Sequence, residues 1–232
     1  MAKHTSSYKP HWFLRFRRIL LRLFFKVLFH LLFNVKFQGM ENIPADGAYI
    51  IAYNHVAYFE PPFILTFWPT YPEALAGADV FERRAQGAIV KAYGAMPVKR
   101  GEYDRSILEK MRKVLSSGFS ILISPEGGRS HKPGLRRAYK GVAYMIDQVQ
   151  VPVVPVAITG MRDDSLTMAV KGRRDTFIME VGKPFMLPKI TGKGIDRREM
   201  RQENADQVMR EIGKMLPPEY HGVYAGQIDI KK

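Results

Sequence analysis

An α/β fold, with a mostly parallel mixed sheet covered by helices, is the architecture that this sequence of 232 residues predicts. Short apolar runs that end at turn residues alternate with segments of helical periodicity, which is the order expected of strands and helices in such a fold. The length suits a single α/β domain, and apolar residues make up 46% of the chain, enough for a large core. The amino-terminal segment, which is both basic and strongly apolar, is predicted to form an additional helix outside this α/β pattern.

This first helix is predicted at residues 11–34. Its polar positions 11, 15, 18, 22, 26 and 30 recur every three or four residues and therefore form one stripe along a helix. Eight Lys or Arg and no acidic residue lie up to Lys36, which is more than half of the net charge of +14. The longest stretch without Lys or Arg, residues 27–35, is too short to cross a bilayer.

The segment is therefore predicted to be an amphipathic helix in the interface of a membrane that contains anionic lipids. Its apolar face would enter the acyl boundary, and its cations would stay among the lipid phosphates. Two alternatives remain open: the helix packs on the core of the domain itself, or it is a signal peptide or a true membrane span. The chain is divided accordingly into a membrane-binding segment, residues 1–36, and an α/β domain, residues 37–232.

The remaining elements follow from short-range patterns. Asp104 is suited to an N-cap, and Asp196 followed by Glu199 resembles a capping box. The prolines in the run 151–158 place that strand at a sheet edge or a bulge. Strands are predicted at residues 48–53, 74–78, 96–98, 119–123, 151–158 and 176–181, and helices at 60–68, 81–93, 105–117, 136–148 and 195–216.

Residues 54–60, Asn-His-Val-Ala-Tyr-Phe-Glu, are the first candidate for chemistry. They follow a predicted buried strand, and ligands of α/β sheets bind at the carboxyl ends of strands. His55 is therefore placed as a general base, with Glu60 to orient the imidazole and stabilise its protonated form. The chain contains no Cys, which excludes a thiolate nucleophile, so base-assisted attack by a bound hydroxyl is the simplest mechanism. The alternative is a His that serves only the structure.

A second candidate is the pair of cations that follows the predicted strand 96–98. Arg100 can hold a phosphate through two hydrogen bonds, and Lys99 can add a point charge. The alternative is a solvated basic loop.

A third candidate is the segment 124–130, Ser-Pro-Glu-Gly-Gly-Arg-Ser, directly after the strongest predicted strand. Gly127 and Gly128 allow close backbone approach, and their N–H groups can face an anion or an oxyanion. Arg129 can bind a phosphate, while Glu126 can orient the cations or bind an acceptor hydroxyl. The alternative is a strand-to-helix turn with incidental charges.

Taken in order, these segments resemble the motifs of the glycerolipid acyltransferase family. Residues 54–60 match the spacing of the family block Asn-His-x-Ser-x-x-Asp, and residues 94–100 match a block that runs from Gly to Arg. Residues 125–130 match Pro-Glu-Gly-Thr-Arg-Ser, and residues 154–155 match a block centred on Val-Pro. The resemblance covers about residues 37–190, most of the chain.

The resemblance implies an O-acyltransferase that moves a fatty acyl group from acyl-CoA or acyl carrier protein to the sn-2 hydroxyl of lysophosphatidic acid, giving phosphatidic acid. It implies that His55 is the catalytic base and Glu60 its partner. No metal and no cofactor beyond the thioester co-substrate is expected, and the protein is expected to be peripheral or monotopic on the cytoplasmic face of the membrane. The acceptor site is assigned to six residues: Lys99, Arg100, Glu126, Gly127, Gly128 and Arg129.

Three departures from the family pattern affect the expected identity of the acceptor more than the expected type of reaction. Glu60 stands in place of Asp, Ala57 in place of Ser and Gly128 in place of Thr. The alternatives are another acceptor (a lyso-ornithine lipid, another lysophospholipid or glycerol 3-phosphate) or a non-catalytic peripheral lipid-binding protein. Nucleic-acid binding is not expected, because the basic excess is interleaved with aliphatic residues on one helix.

Overall fold

A computed structural model describes residues 7–100, 104–191 and 193–229. The first six residues of the predicted membrane-binding segment and the last three of the predicted domain lie outside these ranges. The strands are β1 (Asn34–Gln38), β2 (Ile50–Tyr53), β3 (Glu73–Gly77), β4 (Met96–Val98), β5 (Ile121–Ile123), β6 (Val153–Thr159) and β7 (Thr176–Val181). The α-helices are α1 (Trp12–Leu32), α2 (Glu60–Phe67), α3 (Arg84–Tyr93), α4 (Arg105–Ser116), α5 (Lys140–Val149), α6 (Ser165–Val170) and α7 (Gly194–Gly213).

The seven strands form one sheet in the order β1-β7-β6-β2-β5-β3-β4. Neighbouring strands are parallel except for the antiparallel pair β6 and β7, which confirms the predicted mostly parallel mixed sheet. The five strands from β6 to β4 run in the same direction, so their carboxyl ends meet at one edge. The turns that follow these strands are therefore brought close together.

Helices cover both faces of the sheet. On one face α4, α5 and α7 contribute Met111, Ile146 and Val208 to a buried apolar cluster. On the other face α1, α2 and α3 contribute a cluster that includes Phe29 and Phe63. The sheet is thus buried on both sides, as the continuous apolar runs of β2 and β6 require.

Several elements form where the local sequence predicts them. The Asp104 side chain accepts hydrogen bonds from the N–H groups of Ser106 and Ile107, at 2.8 and 3.3 Å, and so caps α4. Two prolines occupy the first turn of α2, where a missing N–H costs nothing. The helix predicted at residues 136–148 begins later, at Lys140, because the N–H groups of Arg136 and Tyr139 are used by the segment 124–130.

Two predictions about single elements are wrong. Lys193 is the N-cap of α7 and makes no side-chain capping bond, so the proposed capping box at Asp196 does not form. Strand β6 lies in the middle of the sheet, between β7 and β2, so the predicted edge position is wrong. The alternative of a bulge agrees with the pairing around Pro155. Val156 pairs with Val181, whereas Val153 bridges Phe185, one residue farther along than a regular ladder would place it.

Helix α1 forms as predicted, but two of its cations face the domain. Arg18 is 1% exposed and holds both carboxylate oxygens of Glu73 at 2.7 Å, while its Nε donates to the Tyr93 carbonyl oxygen at 2.9 Å. The guanidinium of Arg22 lies over the ring of Tyr71 at 3.7 Å. The expectation that these cations stay among lipid phosphates is wrong for Arg18 and Arg22, because a bidentate partner and an aromatic ring hold them against the domain.

The two sides of α1 differ in a second way. Phe25, Phe29 and Phe33 are buried in the domain core, so part of the helix follows the alternative of core packing. Residue 36, the predicted boundary, lies inside β1, which pairs with β7. Among the described residues no helix combines the length and hydropathy needed to cross a membrane. The outward side exposes nine large apolar side chains: Trp12, Phe13, Phe16, Ile19, Leu20, Leu23, Phe24, Val27 and Leu31.

Candidate active site

A cavity of about 950 Å³ opens at the edge where the parallel strands end. The turns after β2, β4 and β5 all contribute to its wall, as the topology requires. Glu60, the eighth predicted site residue, is buried behind the wall. Seven of the predicted residues line the cavity: His55, Lys99, Arg100, Glu126, Gly127, Gly128 and Arg129.

The predicted pair of His55 and Glu60 is in hydrogen-bond contact. The imidazole Nδ1 lies 2.9 Å from Glu60 Oε2, and the side chains are 15% and 1% exposed. The other carboxylate oxygen, Oε1, accepts the N–H groups of Val56 and Ala57 at 3.1 and 2.6 Å. Glu60 therefore closes the turn and orients the ring at the same time. The extra methylene relative to Asp is accommodated without loss of the contact to the imidazole.

The turn that carries His55 is fixed from below as well. The Asn54 side chain donates to the Ile158 carbonyl oxygen at 2.9 Å and accepts the Ile158 N–H at 2.7 Å, which ties the end of β2 to β6. With Nδ1–H donated to Glu60, the second ring nitrogen of His55, Nε2, is left as a proton acceptor. Nε2 has no hydrogen-bond partner within the described part of the chain, and His55 lines the cavity.

Glu126 lies beneath this turn and is almost completely buried. Its Oε1 accepts the His55 N–H at 2.8 Å, and its Oε2 accepts the Arg136 N–H at 2.9 Å. Burial raises the pKa of Glu126 to about 7, although the two N–H groups act in the opposite direction. Both oxygens are thus used by the backbone, so the geometry gives Glu126 a positioning role toward His55.

The two glycines of the segment 124–130 serve different purposes. Gly127 has φ +67°, and a Cβ there would lie 2.7 Å from the Tyr139 ring, so both backbone and space require glycine. Its N–H is donated to the Ser124 carbonyl oxygen at 3.1 Å and is not available to a ligand. Gly128 is different, because an added Cβ would lie 3.9 Å from both Arg100 and Arg136. Its small size leaves room between two guanidinium groups at the cavity wall.

The two arginines predicted to bind phosphate already have acidic partners. Arg100 donates to Asp79 at 2.9 Å, and Arg129 donates to Asp163 at 2.9 Å. The Arg129 guanidinium also lies over the Tyr58 ring at 3.5 Å. An incoming anion would have to share these cations with the aspartates or displace the aspartates. Neither aspartate was foreseen from the sequence, because each is far from its arginine along the chain.

Arg136 is a candidate site residue that the sequence reasoning missed. Its side chain approaches Gly128 and donates to the Arg129 carbonyl oxygen at 3.1 Å, and it lines the cavity. The sequence signal was present, since Arg136 follows the glycine-rich segment closely, but it was assigned to a helix. We name Lys99, Arg100, Arg129 and Arg136 together the cationic rim.

The cavity is lined from both faces of the sheet. We name the part that α1 and α3 line the α1–α3 arm; its wall contains Leu21, Phe25 and Ile89, beside arginines of α1. The part that α4 and α7 line, the α4–α7 arm, contains Ile107 and Arg201. The site therefore combines a base, a set of cations and apolar wall from both faces.

Comparison with known proteins adds independent information. The family model described as Acyltransferase matches residues 34–159, more than half of the chain. A 1-acyl-sn-glycerol-3-phosphate acyltransferase of Bacillus subtilis (strain 168) is 29% identical over 137 residues, which are 58% of this chain and 67% of the relative. A lyso-ornithine lipid O-acyltransferase of Pseudomonas aeruginosa is 25% identical over 174 residues, 68% of this chain and 64% of that protein. The chain thus spans about two thirds of the length of these two relatives.

A solved structure supports the fold. The crystal structure of the 1-acyl-sn-glycerophosphate (LPA) acyltransferase, PlsC, from Thermotoga maritima superposes with a TM-score of 0.59 over 84% of this chain and 79% of that one. The identity is 22%, so the likeness concerns the architecture. The matched region of the family model contains His55, Glu60, Arg100 and Arg129.

Proposed function

Since the chain belongs to the glycerolipid acyltransferase family, we propose that it transfers an acyl group from a thioester donor to the hydroxyl of a lysophospholipid, with lysophosphatidic acid as the preferred acceptor. The observation that carries the proposal is the contact of 2.9 Å between His55 Nδ1 and Glu60 Oε2 beside a cavity that is both cationic and apolar. A lysophosphatidic acid carries the matching parts, a phosphate, a free hydroxyl and a hydrocarbon chain.

The proposed reaction begins with proton transfer. Nε2 of His55 takes the proton of the acceptor hydroxyl, and Glu60 stabilises the imidazolium that forms. The hydroxyl oxygen then bonds to the thioester carbonyl carbon, and the carbonyl oxygen becomes an oxyanion. The N–H of Gly128 is donated to no residue of the described ranges and is the candidate to stabilise this charge.

Collapse of this intermediate completes the transfer. The carbon–sulfur bond breaks, the new ester remains on the acceptor, and His55 returns its proton to the departing thiolate. These steps use no metal and no cofactor other than the acyl-CoA or acyl carrier protein that donates the acyl group. The protein's task is to position the hydroxyl, the carbonyl carbon and the imidazole and to keep the base in the correct tautomer.

The acceptor phosphate is assigned to the cationic rim. Arg100 and Arg136 lie on either side of Gly128, and the absence of a side chain there leaves the cavity open next to both guanidinium groups, where we place the phosphate. Arg129, which follows Gly128 in the chain, adds a third positive charge, although its guanidinium also pairs with Asp163. A planar guanidinium matches a phosphate with two parallel hydrogen bonds, so these arginines suit the ligand well.

A lyso-ornithine lipid is the second candidate acceptor, and one observation favours it. Asp79 and Asp163 stand at the rim beside Arg100 and Arg129, so the rim presents carboxylates as well as cations. An ornithine head group carries an ammonium and a carboxylate, so it could pair with the aspartates and with the arginines of the rim. One of the relatives is named for this acceptor.

We also propose that α1 binds the membrane through its outward apolar side, on the cytoplasmic face and without crossing the bilayer. Its exposed side chains run from Trp12 to Leu31 along the helix, and burying them in the acyl boundary is favourable by about 25 cal/mol per Å² of apolar area. Replacement of Leu20 and Phe24 by Asp should abolish flotation with vesicles of phosphatidylglycerol. Unchanged flotation would show that α1 does not carry the binding.

An acceptor panel tests the proposed function. Thiol release from two donors, acyl-CoA and acylated acyl carrier protein, is measured with four acceptors: lysophosphatidic acid, a lyso-ornithine lipid, lysophosphatidylcholine and glycerol 3-phosphate. Lysophosphatidic acid should give the highest kcat/KM, and mass spectrometry should detect phosphatidic acid. A higher kcat/KM with the ornithine lipid would transfer the assignment to the second candidate. Thiol release with none of the acceptors would refute the proposed acyl transfer.

A further inference from the structure

The cavity wall contains more positive charge than one acceptor phosphate needs. Among the residues that the structure describes, nine Lys or Arg line it, against two Asp or Glu. A cavity with this balance attracts anions, and the field is strongest where the cations lack acidic neighbours. The pairing of each arginine therefore shows where a second anion can bind.

Half of the eight arginines that the described part of the wall contains form ion pairs. Arg18 pairs with Glu73 and Arg129 with Asp163, while Arg83 and Arg100 share Asp79. The other four, Arg22, Arg136, Arg198 and Arg201, form no ion pair with any residue in the described ranges. Arg22 is held over Tyr71 and Arg136 belongs to the cationic rim, so Arg198 and Arg201 of α7 are the unpaired arginines of the α4–α7 arm.

Arg201 is also held in a way that suits a ligand. Its guanidinium carbon lies 4.8 Å from the centre of the Tyr144 ring, and its buried Nε has no hydrogen-bond partner among the described residues. The ring fixes the side chain without neutralising it. Arg198 lies about one helical turn before Arg201 and is exposed to solvent, so the two charges point to the same region.

The acidic residues of α7 do not compensate these arginines. Asp206 accepts hydrogen bonds from Tyr224 and Gln202, and Glu203 pairs with Arg210. Glu199 lines a neighbouring hollow that Arg198 also borders, but the two side chains form no ion pair. Neither Arg198 nor Arg201 is therefore neutralised by a direct ion pair with an acidic residue in the described part of α7.

This arm is connected to the catalytic turn by direct contacts. Gln202, next to Arg201, donates to the Ala138 carbonyl oxygen at 3.3 Å. Two residues earlier the Arg136 N–H binds Glu126, whose other oxygen accepts the His55 N–H. Gln202, Arg136, Glu126 and His55 all line the one cavity, so the α4–α7 arm and the base belong to the same space.

We propose that Arg198 and Arg201 bind the phosphate of the donor's pantetheine arm. This inference rests on the proposed function, in which the thioester carbonyl must lie at His55. An acyl thioester has hydrocarbon on one side of the carbonyl and, on the other, pantetheine that ends in a phosphate. The hydrocarbon chain then lies in the α1–α3 arm and the phosphopantetheine in the α4–α7 arm. The donor phosphate and the acceptor phosphate consequently bind at separate cations.

Kinetics of the Arg198→Ala, Arg201→Ala double variant test the assignment. The kcat/KM for acyl-CoA and acyl carrier protein should fall roughly 10- to 100-fold, since charge-assisted hydrogen bonds are lost. The kcat/KM for acyl-pantetheine, which lacks the phosphate, should stay unchanged, as should the KM for lysophosphatidic acid. Arg210→Ala is the matched control, because this arginine of the same helix is paired with Glu203 and does not line the cavity. An equal loss with acyl-pantetheine, or no loss with acyl-CoA, would overturn the assignment.

Binding without turnover separates this inference from the proposed function. Calorimetry compares CoA, 4′-phosphopantetheine and pantetheine on the wild-type chain and on the double variant, with thermal unfolding to confirm that both are folded. The two phosphorylated ligands should bind the wild type roughly 10-fold or more tightly than pantetheine and lose this advantage in the double variant. Equal binding of all three ligands to the wild type refutes the phosphate site, even if the enzyme transfers acyl groups.

Discussion

The catalytic turn, residues 54–60, and the cationic rim are built in opposite ways. In the turn Asn54 and Glu60 are about 1% exposed, and backbone groups hold their side-chain polar atoms. In the rim the Arg100 side chain is 40% exposed and pairs with an aspartate that is itself exposed. A buried group that loses its partner pays a large desolvation cost, whereas an exposed ion pair exchanges partners at little cost. In the proposed function, the turn carries the reaction and the rim carries the choice of acceptor.

The largest effect should come from the base in the turn. His55→Ala should lower acyl transfer by about 10³-fold or more, because it removes the proposed base that Glu60 orients. The fold should persist, since Glu60 and Glu126 hold the turn through its backbone. The assay is thiol release, with circular dichroism to check folding. His30→Ala is the control, as this exposed histidine of α1 does not line the cavity; equal losses in both variants would show that the effect is not specific to the proposed base.

The same contrast between buried and exposed polar groups applies to two ion pairs outside the catalytic turn. Arg18→Met should lower the free energy of unfolding by about 3–5 kcal/mol, because it leaves the buried Glu73 without a partner. Arg83→Met, at the exposed pair with Asp79, should cost less than about 1 kcal/mol. Urea denaturation of the two variants measures the difference. Similar midpoints would mean that the buried pair does not anchor α1.

Glu126 adds a pH dependence. Its pKa is raised from 4.5 to about 7 by burial, so the folded state binds the proton more tightly than the unfolded state. The stability from this group is complete below pH 4.5 and is lost as the pH rises through about 7. Relative to Glu126→Gln, the wild type should lose about 3 kcal/mol of unfolding free energy between pH 4.5 and 8. The control is Glu109→Gln, an exposed residue of α4; parallel stability curves for the wild type and Glu126→Gln would show that Glu126 stays ionised.

The smallest effect is expected at the rim. Arg100→Ala should raise the KM for lysophosphatidic acid by about tenfold with little change in kcat, because other cations of the rim remain and the base is untouched. A monoacylglycerol acceptor, which lacks the phosphate, should show no change between the two proteins. An unchanged KM for lysophosphatidic acid would remove Arg100 from the phosphate site. A fall in kcat alone would place it in the reaction and not in acceptor binding.

Sequence alone predicted the parts of the molecule that depend on local patterns. The bounds of β4 and β7, the Asp104 cap and the pairing of His55 with Glu60 are all found in the structure. Each of these depends on residues within a few positions of one another or on a strand whose apolar pattern is clear.

Features that depend on distant partners were missed. The burial of Arg18 requires Glu73, which is 55 residues away, so periodicity alone assigned this arginine to the membrane side. Strand β1 has a mostly exposed pattern and is defined by its pairing with β7, which no short-range signal reveals. Arg136 joins the rim only because Glu126 draws its N–H inward and delays the start of α5.

We infer that the catalytic turn transfers the acyl group to an acceptor and does not hydrolyse the thioester. The most direct test is the stoichiometry of thiol and ester formed by the wild-type chain from acyl-CoA, with and without lysophosphatidic acid. We expect one phosphatidic acid for each thiol released and almost no thiol when the acceptor is omitted. Equal thiol release in both reactions, with water as the acyl acceptor, would contradict this inference.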